Sequence, residues 1–328
     1  MNEVISKEYR DRESTERDYV YASELGGSIF DVWMKMKNQP VTHPPNARAY
    51  RKFKMGNRLE SEVKELYEIA GLLVHDEKRV TREPTNDMVG ISGRLDFFLS
   101  YDGMIDRAKK YSNLPDWKND LLQNILKSPP INPNRPVYYE SDEEAEKDKL
   151  SVAELLEMNA PIEPRSWIVE LKSVSSQMFP QREQEPAPNH WLQAGFYSKE
   201  EDVPALIEYI NKDDGFMATH FVDVNDAEEK TTEWLKELSG YYEANERPPL
   251  EPLIINEGGR CKKNWKVEYS NYLGEYGFEM PMQYREAVDK KIGRWNRVLK
   301  RVEDRAKMTD DNLAALDEMI DYFKTGEL

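Results

Sequence analysis

The segment WIVELKSVSS, residues 167–176, limits the folds open to this chain because it reads as a buried strand that carries two opposite charges. Strand side chains alternate between the two faces of a sheet, so Glu170 and Lys172 share one face with Ile168. The other face is apolar and consists of Trp167, Val169 and Leu171. A buried charge is costly unless it is paired or binds a metal. The segment therefore predicts either a structural ion pair or a reactive site where the strand ends.

A second strand of mixed character is predicted in DMVGISGRLDFFLS, residues 87–100. Its apolar face consists of Val89, Ile91, Leu95, Phe97 and Leu99. Its polar face carries Ser92, Arg94 and Asp96. GLLVHDEKRV, residues 71–80, predicts a partner strand, joined to the second strand through a turn at EPTND.

Helices are predicted on both sides of these strands. Between Ala47 and Ala70 apolar side chains recur at steps of three and four, and Gly71 is a typical helix stop. HWLQAGFYSKE, residues 190–200, starts another helix, and further helices are expected near 227–245 and 282–306. The alternation of helices and strands favours an α/β core with additions.

Composition sets outer limits on function. The chain has 328 residues, 39% hydrophobic and 33% charged, which suits one large domain or two small ones. It has no apolar run near the roughly 20 residues of a membrane span, and its N-terminus lacks the apolar stretch of a signal peptide. The single cysteine, Cys261, excludes an internal disulfide and a usual four-cysteine iron–sulfur site. The net charge of −16 argues against non-specific coating of nucleic acid.

The chemistry of Asp96, Glu170 and Lys172 depends on whether their strands are neighbours. If they are, two carboxylates and an ammonium converge. Carboxylate oxygens suit Mg²⁺, which keeps several waters, and a lysine there can orient water or offset charge on a phosphate. The alternative is a structural ion pair near the end of a sheet.

Three weaker candidates lie on predicted helices. Glu60 follows Gly56 by four residues, and the alternative for it is a solvated helix face. Gln193 and Tyr197 lie four residues apart and share a helix face, from which they can bond phosphates or stack on bases. The alternative for this pair is an ordinary half-buried helix. His190 precedes the same helix and is placed to face the site.

The order of these signals resembles the PD-(D/E)XK nuclease superfamily, and more narrowly its RecB-type exonuclease branch. The motifs are Gly-x-x-x-Glu, Gly-x-x-Asp, Glu-x-Lys and Gln-x-x-x-Tyr, carried by MGNRLESEV, GISGRLDFFL, IVELKS and HWLQAGFY. That branch includes the nuclease domains of bacterial recombination helicases, the CRISPR-associated spacer-acquisition exonucleases and phage recombination nucleases. The match runs from Gly56 to Tyr197.

The resemblance implies a restriction-endonuclease-like core, in which a mixed central sheet is flanked by helices. Residues 19–101 and 166–250 would form this core after a flexible N-terminus, 1–18. The segment 102–165, with its acidic run ESDEEAEKD, would be an insertion that serves as a cap or binds a partner protein. Residues 251–328 would add a C-terminal irregular segment and helices that pack on the core.

The resemblance also assigns roles to residues. Asp96, Glu170, Glu60 and the carbonyl of Leu171 would bind Mg²⁺ or Mn²⁺, and Lys172 would be the catalytic lysine. The substrate-binding residues would be Gln193, Tyr197, Arg94, Arg58 and His190. The expected activity is metal-dependent hydrolysis of DNA, by an exonuclease acting on ends or single strands during recombination, repair or replication. The expected setting is the cytoplasm of a bacterium or a phage-infected cell, without a membrane partner.

Three alternatives stay open at this stage: an endonuclease of the same fold, a catalytically silent binding or assembly protein, and an unrelated α/β protein with an ion pair. The sequence also departs from the cluster-bearing relatives. Ser28, Val267 and Ser270 stand where cysteines of an iron–sulfur cluster are expected, so an iron-free protein is predicted. Aromatic packing by Trp265, Tyr269 and Tyr272 is predicted to tie the chain ends together instead.

Overall fold

The computed structural model describes residues 16–103, 127, 151, 154, 164–302 and 308–326. The described strands are β1 Tyr19–Tyr21, β2 Leu73–Arg82, β3 Gly90–Ser100, β4 Ser166–Val174, β5 Ala205–Asn211, β6 Met217–Phe221, β7 Ile254–Glu257 and β8 Arg260–Lys263. The described α-helices are α1 Ile29–Met36, α2 Ala47–Ala70, α3 Phe179–Gln184, α4 Pro188–Glu201, α5 Val224–Ala244, α6 Trp265–Glu268, α7 Pro281–Leu299 and α8 Asp310–Thr325.

The chain divides into two compact units. The sheet unit comprises Asp18–Gly26 and the described part of Tyr50–Ser239. The C-terminal unit comprises the described residues of 16–17, 27–49 and 240–326. Most of the predicted insertion 102–165, and residues 1–15 of the predicted flexible N-terminus, lie outside the described residues.

The sheet unit is built on a six-stranded mixed sheet, which confirms the predicted α/β class with a mixed central sheet flanked by helices. β3 pairs antiparallel with β2 along most of its length. The opposite edge of β3 is shared, because β1 pairs parallel with its start and β4 pairs antiparallel with its end. β5 then runs parallel to β4, and β6 closes this side of the sheet in antiparallel pairing.

The shared edge of β3 leaves a gap in the strand ladder. Pairing with β1 ends at Ser92, and pairing with β4 begins at Phe97, which lies opposite Val169. The segment 93–96 lies between these two ladders. The gap ends at Asp96, one residue before the pairing with β4 starts, so strand topology brings Asp96 beside Glu170.

The predicted faces of β3 and β4 are confirmed. The five residues of the predicted apolar face are all buried, Val89 just before β3 and Ile91, Leu95, Phe97 and Leu99 within it. Trp167, Val169 and Leu171 of β4 are buried as well. Helix α2 covers this core through Val63 and Ala70, and the ring of Tyr67 meets Phe97 edge-on at 5.3 Å between centroids. The amphipathic spacing of α2 therefore fixes which side of the helix faces β4, and that orientation sets the position of Glu60.

The C-terminal unit has its own core beneath a β7–β8 hairpin. Gly258 and Gly259 both have positive φ, at 60° and 73°, as a tight two-residue hairpin turn requires. The core is formed by residues of β7 and β8, α6, α7 and α8, including Ile254, Cys261, Val267, Val288, Trp295, Met319 and Tyr322. The sequence missed this hairpin because its strands are only four residues long.

The predicted aromatic packing of the chain ends is correct for Tyr272 and wrong for two residues. Tyr272 is buried and meets Phe30 of α1 edge-on at 6.4 Å. Trp265 and Tyr269 are exposed because they lie on the outer side of α6 and just after it, while Val267 faces the core. Within the described residues, no helix is long and apolar enough to cross a membrane.

Candidate active site

The site is centred on Asp96, Glu170 and Lys172, which the fold of the sheet unit brings together. A carboxylate oxygen of Asp96 accepts a hydrogen bond from the backbone N–H of Leu171 at 2.8 Å. Leu171 lies between Glu170 and Lys172, on the strand next to Asp96. The bond therefore holds the Asp96 carboxylate against β4 at the point where the strand ladder stops.

Glu170 is fully buried, and one of its carboxyl oxygens accepts a hydrogen bond from the Lys172 ammonium. The other oxygen, Oε2, is buried and has no hydrogen-bond partner among the described residues. Leaving a buried acceptor unpaired is costly, commonly about 1–3 kcal/mol. A bound cation would supply the missing partner of this carboxyl oxygen.

The electrostatics of the site show several carboxylates crowded together. Burial and the nearby Asp96 carboxylate raise the pKa of Glu170 to about 8, although the Lys172 ammonium lowers it in part. Burial also raises the pKa of Asp96, and burial together with Asp96 raises the pKa of Glu60. Burial alone lowers the pKa of Lys172, but Glu170 and Asp96 outweigh it and raise that pKa. The ammonium is thus held charged among acids that resist ionising together.

A groove of about 620 Å³ opens beside these residues. It is lined by residues of α2, the end of β4, and the segments that follow β4 and β5. The charged groups in its lining are Lys52, Glu60, Lys172, Arg182 and Lys212. Four of these five groups are cationic, in a chain whose net charge is −16. The groove is therefore a local positive site suited to an anionic ligand.

Glu60 lines the groove from α2 and is half-buried. Gly56, one turn earlier on the same helix, also lines it. A Cβ placed on Gly56 would be 3.5 Å from the hydroxyl of Ser173, so the helix runs close to the end of β4 here. The predicted Gly-x-x-x-Glu pair thus lies where α2 approaches the Glu-x-Lys strand.

Tyr197 and Gln193, which the resemblance links to DNA and to positioning of the active site, are buried and are not among the residues that line the groove. Tyr197 is only 1% exposed, and its hydroxyl donates to the carbonyl of Arg94 at 2.9 Å. Gln193 is also buried and donates to the same hydroxyl at 3.4 Å. A Cβ on Gly93 would be 2.5 Å from the Tyr197 hydroxyl, so only glycine admits it. Through the carbonyl of Arg94, Tyr197 is hydrogen-bonded to segment 93–96, where the β3 ladder is interrupted. It thereby helps to position this segment and its last residue, Asp96.

His190 is held by a tyrosine that the sequence did not single out. Its Nδ1 lies 2.8 Å from the hydroxyl of Tyr209, and that hydroxyl also accepts from the backbone N–H of Ala187 at 2.8 Å. Tyr209 lies opposite Lys172 in the β4–β5 register. Burial, with Lys172 and Arg182, lowers the pKa of His190 to about 3, so its ring is neutral. A Tyr209 hydroxyl that donates to Nδ1 places the ring proton on Nε2, which is the tautomer we expect.

The two predicted substrate arginines are exposed. The side chain of Arg94 is 70% exposed and lies 3.8 Å from Glu77. Arg58 is exposed on α2. Neither belongs to the groove lining, so the structure does not bring them together with Lys172.

The donor set fits a hard divalent cation. Mg²⁺ uses oxygen ligands and is commonly held by one or two carboxylates together with substrate phosphate oxygens. Asp96 and Glu170 supply two adjacent carboxylates, and the unpaired Oε2 of Glu170 supplies an acceptor without a protein donor. Across the described part of the chain, no three side chains from His, Cys, Asp and Glu are placed to hold a metal as a group. Glu60 is near enough to Asp96 and Glu170 to interact with both electrostatically, and its role as a metal ligand stays a prediction.

Several residues that line the groove were not predicted from the sequence. Lys52 and Phe53 lie on α2 with Glu60, and the seven-residue step from Phe53 to Glu60 was available as a signal. Arg182 and Lys212 come from segments after β4 and β5, and only the tertiary fold brings them to the groove.

Comparisons with known proteins add a structural neighbour and no family. A scan against protein-family models finds no match, and a search of the curated proteins finds no relative. Among solved structures, the chain is similar to the crystal structure of SSO0001, with 12% sequence identity and a TM-score of 0.43. The alignment covers 83% of this chain and 92% of that chain.

Proposed function

We propose that this protein is a metal-dependent deoxyribonuclease. The observation that carries the proposal is the meeting of Asp96 and Glu170 with Lys172, which itself lines a cationic groove. An anionic polymer fits a groove with four cations in a strongly acidic chain, since the local field concentrates phosphate there. The two buried carboxylates, Asp96 and Glu170, would repel a phosphate. A cation bound between them would offset that repulsion.

The chain's own residues have separable roles in this reaction. Asp96 and Glu170, with the carbonyl of Leu171, would hold Mg²⁺ or Mn²⁺, which supplies an activated water and charge neutralisation when bound. Lys172, kept charged by Glu170 and Asp96, stabilises the negative charge that develops on the phosphate oxygens. The oxygen of the water bonds to phosphorus while one phosphodiester P–O bond breaks. The leaving oxygen takes up a proton, so one strand end carries phosphate and the other carries hydroxyl.

Cations away from the carboxylates position the polymer. Lys52, Arg182 and Lys212 line the groove and would bind phosphates on either side of the broken bond. The order of the four motifs supports an exonuclease that acts in DNA recombination, repair or replication in the cytoplasm. An endonuclease would use the same groove and the same three central residues.

The proposal is tested with end-labelled single-stranded and double-stranded DNA and a covalently closed circle, in Mg²⁺ or Mn²⁺. Cleavage of linear DNA that EDTA and Lys172→Ala both abolish, with the circle intact, is the expected result. Lys236→Ala changes an exposed lysine of α5 outside the groove and is the matched control. Cutting of the circle would make the protein an endonuclease. No cleavage of any substrate would overturn the proposal.

A binding protein without catalysis is the second candidate. It is favoured by the net charge of −16, which disfavours the approach of a nucleic acid substrate. Thermal unfolding with and without Mn²⁺ separates the candidates further, because a ligand that binds only the folded state raises its stability. Stabilisation by Mn²⁺ without cleavage would support the binding protein.

A further inference from the structure

Helix α2 carries an exposed aromatic ring at the groove. On an amphipathic helix a large apolar side chain is normally expected to face the core. Phe53 lines the groove and is 59% exposed. It lies seven residues before Glu60 on α2, so the two side chains share a helix face about 10 Å apart along the axis. The part of α2 that packs on the sheet core is the later one, which contains Val63, Tyr67 and Ala70.

Phe53 therefore does not contribute to the core that anchors its helix. Its ring meets the edge of Tyr50, one turn earlier, at 6.3 Å between centroids with planes 65° apart. That contact orients the Phe53 ring without covering it. Met178, 42% exposed, lines the same groove, so Phe53 is part of an exposed apolar surface at the groove, as ligand-binding grooves commonly have.

The neighbours of Phe53 specify the ligand. Lys52 adjoins it in the sequence, and Lys172, Arg182 and Lys212 line the same groove. Cations that follow a phosphate backbone, combined with an aromatic ring that stacks on a base, are the arrangement that binds single-stranded nucleic acid. Within a duplex both faces of every base are covered by neighbouring base pairs, and only the two end pairs have a free face, so along a strand a ring at the groove reaches base faces where the bases are unpaired.

We propose that Phe53 is a stacking platform for an unpaired base, and that the groove takes nucleic acid in single-stranded form. This inference rests on the proposed function and deepens it, because it names the form of the substrate. It also moves the stacking role from Tyr197, which is buried, to Phe53, which is exposed.

The test is a binding measurement in EDTA, where metal-dependent cleavage cannot occur. Fluorescence anisotropy is followed with a labelled 20-nucleotide single strand and with the blunt duplex of the same sequence. Phe53→Ala is expected to weaken binding of the single strand about 5- to 150-fold, the effect of removing one stacking aromatic, and to leave duplex binding within about twofold. Phe53→Trp is expected to keep the affinity of the native protein. Phe216→Ala removes another exposed phenylalanine outside the groove and is the matched control.

Three results would overturn the inference: no binding of the single strand by the native protein, unchanged binding by Phe53→Ala, or equal weakening for both DNA forms. Thermal unfolding of each variant checks that the fold is kept, and the aromatic rescue by tryptophan excludes general damage. The binding measurement and the nuclease assay can succeed or fail independently. Unchanged binding by Phe53→Ala with intact cleavage would reject the stacking role alone. Weakened single-strand binding in a protein that never cleaves would reject the nuclease alone.

Discussion

The carboxylate of Asp96 on β3 accepts a hydrogen bond from the backbone N–H of Leu171 on β4, at 2.8 Å. This bond forms directly after the last ladder pair of the two strands, Phe97 with Val169. It places the Asp96 carboxylate next to Glu170 and Lys172, although the chain separates Asp96 from Glu170 by 74 positions. A backbone donor and a change of strand pairing thus build the site, rather than any contact local in sequence.

Replacement of Lys172 is the most direct test of the site's chemistry. Lys172→Ala is expected to lower the rate of DNA cleavage at least about 100-fold, because it removes the charged group that stabilises developing phosphate charge. Asp96→Ala and Glu170→Ala are expected to abolish cleavage as well. Initial rates with end-labelled DNA measure the effect, and Lys236→Ala serves as the control. Full activity of Lys172→Ala would show that the role assigned to this lysine is wrong.

How far the sequence could predict this site depends on the range of the interactions. The alternation of faces in β3 and β4 is local, so it predicted which side chains are buried and that Asp96, Glu170 and Lys172 are the polar exceptions. The burial of Tyr197 was missed because it depends on Gly93, 104 positions away, which leaves room for the hydroxyl. Arg182 and Lys212 were missed because short segments after two different strands carry them to the groove.

The protonation of Glu170 predicts how stability depends on pH when no metal is bound. Its pKa of about 8 in the folded state lies above the value near 4.3 of an unfolded glutamate. Between these values the folded protein holds a proton that the unfolded chain has released, so stability falls as pH rises. Glu170→Gln removes this dependence. In EDTA the melting temperature of the variant, relative to the native protein, is expected to rise from pH 5 to pH 9.

Thermal unfolding followed by circular dichroism at several pH values makes that comparison. Glu237→Gln changes an exposed glutamate of α5 and provides the control for a lost surface charge. A constant difference between Glu170→Gln and the native protein across the pH range would contradict the assignment of a proton to this carboxyl.

Tyr209 is expected to fix the orientation and tautomer of His190. Tyr209→Phe removes the acceptor of the Ala187 N–H and the donor to His190 Nδ1, at a cost of about 1–3 kcal/mol of unfolding free energy. Urea unfolding measures the loss, with Tyr269→Phe as an exposed control. Nitrogen chemical shifts of the native His190 ring are expected to show a proton on Nε2 and no titration between pH 8 and pH 5. A ring protonated at pH 6 would refute the neutral form.

Ser270 provides a test in the C-terminal unit. Its hydroxyl donates to the buried carboxylate of Asp31 at 2.8 Å. Burial raises the pKa of Asp31 to about 6, and the bond from Ser270 opposes that rise. The folded pKa exceeds the value near 3.9 of an unfolded aspartate, so stability falls as pH rises through this window. Ser270→Ala is expected to raise the pKa of Asp31 in the folded state further. The loss of unfolding free energy that it causes is expected to grow as Asp31 ionises.

The expected loss of unfolding free energy for Ser270→Ala is about 1.5–3 kcal/mol at pH 8, where the bond is to a charged group, and about 1 kcal/mol at pH 5. Urea unfolding at both pH values measures it. In an Asp31→Asn background the penalty is expected to be the same at both pH values, because no carboxylate is left to ionise. An equal penalty at both pH values in the native background would contradict the titration: at about 1.5–3 kcal/mol Asp31 would already be charged at pH 5, and at about 1 kcal/mol it would still be neutral at pH 8. In either case the charge of Asp31 would be constant between pH 5 and pH 8, and the hydroxyl of Ser270 would bond to the same form of Asp31 throughout.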